Sequence, residues 1–63
     1  MNKTYMVYED NETGETYVST GRGYFMESRD WYAEGGRAYT KDDFLDGLTL
    51  IGDFTRSEIE DRF

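Results

Sequence analysis

Seven carboxylates in the second half of the chain are the side chains best suited to do chemistry: Asp42, Asp43, Asp46, Asp53, Glu58, Glu60 and Asp61. Asp42, Asp43 and Asp46 fall on a predicted short helix, where residues three or four apart lie about 5–6 Å from one another. That spacing is close to the spacing of charges along a nucleic-acid backbone. The helix dipole favours acids at the first turn, where Asp42 and Asp43 sit, and disfavours Asp46 near the end. Asp42 and Asp46 are also like charges four apart, which costs about a few tenths of a kcal/mol. A local rule broken without visible compensation marks a candidate site. The pattern points to an acidic surface that imitates phosphates and occupies a basic groove on another protein. Its competitor is a solvated acidic face that serves solubility.

Other chemistries fit less well. Histidine and cysteine are absent, which removes the imidazole, the thiolate and the Cys/His zinc site. Calcium wants alternating acids and a turning glycine within one loop, and no stretch has that spacing, so no metal and no cofactor are expected. Paired carboxylates hydrolyse glycosides only inside a cleft that raises one pKa, and 63 residues leave little volume for one. No enzyme is expected. Gly21-Arg22-Gly23 reads as a turn before it reads as an anion nest. Glu12-Thr13-Gly14-Glu15 matches a short acidic degron turn, but the same residues suit a bulged hairpin turn. Trp31 and Tyr32 lie between Asp30 and Glu34, a make-up similar to binding hot spots. Tyr32 joins the candidate partner-binding set, whereas Trp31 is expected in the core.

The elements that must position these residues come from a chain with fourteen acidic and seven basic residues, a net charge of −7, and 37% hydrophobic content. There is room for a single domain, 1–63. The aliphatic content is low enough to lean towards disorder. Six tyrosines, four phenylalanines and one tryptophan argue instead for a folded domain with an aromatic core. Lys3 to Glu9 and Glu15 to Thr20 read as strands, joined by a turn over Asp10 to Gly14 with Gly14 left-handed. Placing Asn11 opposite Glu15 pairs Tyr8 with Val18 and Met6 with Thr20, and that side is expected to face the core. Tyr24 to Met26 reads as a third strand. Ser28 caps a short helix through Glu34, ended by Gly35, with a strand running through Trp31 as the rival reading. Thr40 opens a second helix through Asp46, ended by Gly47. Leu48 to Ile51 has strand length, and Thr55-Arg56-Ser57-Glu58 opens a terminal helix with Ile59 and Phe63 on one face. The expected fold is α+β: a small single domain with an N-terminal β-hairpin in an antiparallel sheet and two or three short helices.

No apolar run approaches the length of a membrane span, and Met1 to Thr4 begin no signal peptide, so the cytoplasm is the expected compartment. A charge of −7 repels membranes and free nucleic acid and attracts basic surfaces. In size, charge and composition alone, the chain is similar to the small acidic inhibitors that phages and other mobile elements carry. That resemblance implies a viral DNA mimic acting in host-defence evasion. The expected function is a non-catalytic inhibitor or regulator that binds a basic, nucleic-acid-binding protein. The alternative is a structural or adaptor module that forms a homo-oligomer or holds a partner through aromatic and strand-edge contacts.

Overall fold

The structure, a computed structural model, describes residues 3–31 and 36–63. The first strand, β1 (Thr4–Asp10), turns back into β2 (Thr16–Ser19). The Asp10 carboxylate accepts from the Glu12 N–H at 2.9 Å, and the Gly14 N–H donates to the Asp10 carbonyl at 2.8 Å. Gly14 closes this loop at φ 79°, the left-handed conformation that glycine adopts without steric cost. The loop therefore spans Asn11 to Gly14, and Asp10 and Glu15 close it through a 2.8 Å backbone bond.

This overturns the expected register by one residue. Val7 pairs with Val18, Tyr8 with Tyr17 and Glu9 with Thr16. Asn11 does not face Glu15. Its N–H donates to the Gly47 carbonyl at 3.1 Å, its amide donates to the Asp46 carbonyl at 3.0 Å, and its carbonyl oxygen accepts from the Thr49 hydroxyl at 2.6 Å. Asn11 thus belongs to the ladder on the other side of β1, and the turn gains a residue. A one-residue shift exchanges the two faces of a strand. It moves Val7 beside Val18, both 0% exposed, where each side chain contributes roughly 1.5–3 kcal/mol by burial. Met6, expected in the core, is exposed.

The sheet is completed by β3 (Phe25–Glu27) and β4 (Leu48–Thr55), all antiparallel in the order β3-β2-β1-β4. One face carries Val7 and Val18. It is covered by α1 (Ser28–Trp31) and α2 (Arg56–Arg62), with Ile59 fully buried and Tyr5, Trp31, Phe54 and Phe63 packed around the three aliphatic residues. Trp31 lies at the margin of this cluster and not at its centre, edge-on to Tyr5 at 4.6 Å. The other face carries Tyr17 and Phe25, and Phe44 closes over them with Tyr8, Tyr39 and Leu48 at the sides. Edge-to-face ring pairs such as Tyr17–Phe44 at 4.8 Å and Tyr8–Phe25 at 5.4 Å dominate here, the geometry that ring quadrupoles favour.

Two α-helices are present among the described residues, with Lys41–Asp43 forming a 3₁₀ turn where a helix to Asp46 was expected. The local start signal is obeyed: the Thr40 N–H donates to the Asp43 carboxylate at 2.9 Å. Phe44 then leaves helical geometry at φ −111°, ψ 95°. Burying its ring against Tyr17 and Phe25 outweighs another helical turn. Asp42 and Asp46 are therefore not helical neighbours. The expected end of the first helix, Glu34 and Gly35, and the candidate Tyr32 lie outside the described residues. The terminal helix matches its capping box: the Glu58 N–H donates to the Thr55 hydroxyl at 3.3 Å, and the Thr55 N–H donates to the Glu58 carboxylate at 2.9 Å. No helix among the described residues is long and apolar enough to cross a membrane.

Ile59→Ala is expected to destabilise the domain by about 2–5 kcal/mol, as deletion of a fully buried aliphatic side chain does. A core this small rarely supplies more than about 3–5 kcal/mol, so the variant should be largely unfolded at room temperature. Thr55→Ala should cost about 1 kcal/mol through the lost cap. Urea denaturation followed by circular dichroism checks both; an Ile59→Ala midpoint equal to that of the parent would contradict the described core.

Candidate protein-binding surface

The alternation of β1 sends Met6 and Tyr8 to the same face as Tyr17. Across the ladder, Leu50 lies opposite Tyr8 and Leu48 opposite Asp10, so both leucines share that face. Phe44 and Tyr39 cover its β2–β3 half. The β1–β4 half is left open. Met6 is 42% and Leu50 52% exposed, with the Tyr8 hydroxyl 3.7 Å from the Met6 sulfur. Beside them, Tyr8, Phe25, Lys41, Gly47 and Leu48 line a pocket of about 280 Å³. Ile51 is unpaired where the β1–β4 register shifts between Val7 and Tyr8, and Leu45, at 85% exposure, stands in the preceding loop. An apolar patch bounded by polar groups is the usual anatomy of a protein contact.

The candidate acids are divided by the sheet. Asp42, Asp43 and Asp46 belong to the segment that covers the Tyr17 face. Asp53 lies opposite Met6 on β4. Glu58, Glu60 and Asp61 ride on α2, over the Val7 face. Within each group the acids differ in how they are engaged. On α2, Glu58 is the capping partner of Thr55, and Glu60 pairs with Arg56 at 3.4 Å. The guanidinium of Arg62 lies over the Phe54 ring at 5.3 Å, and the exposed Asp61 has no ion pair among the described residues. On the other side, Asp43 is engaged by Thr40, but Asp42, Asp46 and Asp53 are exposed. No ion pair among the described residues involves them. Asp53 lies opposite Met6, Asp46 precedes Leu48 by two residues, and Asp42 follows Lys41 of the pocket wall.

The apolar members of this surface were missed at the level of sequence. Their signal was the uncharged run Leu48-Thr49-Leu50-Ile51-Gly52 in a chain that is 33% charged. Among the described residues, no three metal-ligating side chains converge to hold an ion.

The surplus of acids is felt inside the fold. Burial, and then the neighbouring carboxylates of Glu15 and Glu27, push the Tyr17 phenol up to about 12 from its ordinary 10.0. Folding thus favours the neutral phenol. This contribution is complete below pH 10 and is lost as the pH rises to about 12. Thr55 acts the other way on Glu58, holding its carboxyl below the ordinary 4.5, so that support for α2 is present above this pH and lost as acid is added. Stability measured by denaturant midpoints between pH 10 and 12 should fall more steeply in the parent than in Tyr17→Phe. Equal slopes would contradict the raised phenol.

No protein-family model, no curated protein and no solved structure matches the chain, so its function is argued from this geometry.

Proposed function

We propose that this protein is a non-catalytic acidic inhibitor or regulator that occupies a basic, nucleic-acid-binding surface of another protein. The observation that carries the reading is charge left without a partner beside exposed apolar surface. Of fourteen acidic residues, Glu27 and Glu60 have an ion-pair partner among the described residues, whereas Asp53 opposite Met6, Asp46 just before Leu48 and Asp42 next to Lys41 of the pocket wall are exposed and have none there. Long-range attraction steers a basic partner onto such a surface. The apolar centre then holds it once water is expelled. On α2, Glu58 and Glu60 have local partners and a structural part, while the exposed Asp61 contributes to the net field.

A second reading, an adaptor that self-associates, is favoured by the exposure of Leu45, Leu50 and Ile51. Sedimentation at rising concentration separates the two: a strict monomer removes self-association.

The main reading is tested with a nucleic-acid-binding protein captured on the immobilised chain and then titrated in solution. Raising salt from about 0.1 to 0.5 M should weaken binding tenfold or more, and duplex DNA should compete. Replacing Asp42, Asp46 and Asp53 together by asparagine should weaken binding by about tenfold or more, since a rim charge acts mainly on association. Glu60→Gln with Asp61→Asn should change it less than about twofold. Affinity indifferent to salt, or simultaneous binding of DNA, would overturn the reading.

A further inference from the structure

β4 forms one edge of the sheet, and no hydrogen bond among the described residues reaches its outer side. The opposite edge is treated differently. Phe25 of β3 exchanges both of its backbone bonds with Tyr39, each 2.7 Å long. On the inner side of β4, the bond from Asn11 to the Gly47 carbonyl marks a hydrogen-bonded pair. Antiparallel ladders alternate such pairs. Thr49 is then the next residue bonded inward, and the N–H and C=O groups of Leu48 and Leu50 point outward.

Exposed edges are commonly protected by lysine, proline or a bulge. From Leu48 to Gly52 there is no charge and no proline, and the bulge at Ile51 is the protection present. A bulge bends the edge and interrupts a long flat ladder. Two copies lying edge to edge would need such a ladder, and each copy carries a charge of −7. A short segment needs less, and Leu48 to Leu50 remain regular. Asp46 precedes the uncharged run and Asp53 follows it, about 23 Å apart along an extended strand at roughly 3.3 Å per residue. The pocket beside Tyr8 and Leu48 can take a side chain from such a segment.

We infer that the outer edge of β4 is a docking edge. It pairs by strand addition with an extended segment of the partner that is apolar at alternate positions and carries lysine or arginine at both ends. The sign of that segment's charge rests on the proposed function; the backbone pairing is a separate claim.

The test uses the full chain, labelled with ¹⁵N, and three blocked peptides. The first is Lys-Val-Thr-Val-Thr-Val-Lys, the second is the same with glutamate ends, and the third is the lysine peptide N-methylated at alternate amides. The lysine peptide should shift the amides of Leu48 to Asp53 and leave those of α2 in place. N-methylation should weaken it by about tenfold, as expected when two backbone bonds are lost. Leu50→Pro removes an outward N–H at a position where an edge strand tolerates proline. It should weaken binding similarly, with its melting curve reporting on the fold. Equal affinity of the methylated and unmethylated peptides would overturn strand addition while leaving the charge reading intact. Absence of shifts on β4 would overturn it as well, as would a dimer in the free protein that Leu50→Pro dissociates. If methylation matters but the glutamate-ended peptide binds as tightly as the lysine-ended one, the docking edge stands and the proposed function fails.

Discussion

The pairing of Val7 with Val18 is the contact on which the arrangement of this small domain rests. It fixes the register of the central strands, and the register fixes which side chains reach each face. With the valines on one side, Ile59 of α2 finds an apolar floor, and Phe54 and Phe63 meet above it at 5.5 Å. With Tyr8 and Tyr17 on the other, Phe25 and Phe44 find ring partners. A chain of 63 residues thereby buries both sides of a sheet with two small clusters in place of one large core.

Covering two faces leaves little material to spare, and the cover is uneven. α2 follows directly from β4 and lays Ile59 over the centre of the Val7 face. The Tyr17 face depends on Phe44 and Tyr39, which sit towards β2 and β3. The β1–β4 half of that face is what remains, and Met6, Tyr8, Leu48 and Leu50 form its surface. The exposed apolar side chains lie where that cover stops, beyond Phe44 and Tyr39.

Much of this was legible from local signals. The strands of the hairpin, the third strand at Phe25, the capping box at Thr55 and the shared face of Ile59 and Phe63 all follow from nearest-neighbour chemistry. The register did not, because Gly14 closes a loop of either length equally well. The choice is made by Asn11, whose partners Gly47, Asp46 and Thr49 lie far along the sequence. The helix expected from Thr40 to Asp46 failed for a related reason. Its start signal is satisfied, yet the burial of Phe44 in a distant cluster overrides the local preference. The acids were conspicuous in the composition, but their division between two faces depends on topology, which no spacing in the sequence encodes.

The acids differ in what they do inside the fold. Asp10, Asp43 and Glu58 accept backbone N–H groups and serve turns and caps. Glu60 and Glu27 answer Arg56 and Arg29. Asp42, Asp46, Asp53 and Asp61 have no ion pair or side-chain hydrogen bond among the described residues, and Asp53 lies opposite Met6 on the open half of the sheet. Each of these assignments depends on the strand register. In a non-hydrogen-bonded antiparallel pair the Cα atoms approach to about 4.5 Å, and Val7 and Val18 form such a pair next to the hydrogen-bonded Tyr8 and Tyr17. A nuclear Overhauser spectrum of the free protein in deuterated water reads this directly. The account predicts a strong cross-peak between the α-protons of Val7 and Val18. A cross-peak pairing Tyr8 with Val18, or Met6 with Thr20, would contradict the register and with it the placement of the binding surface.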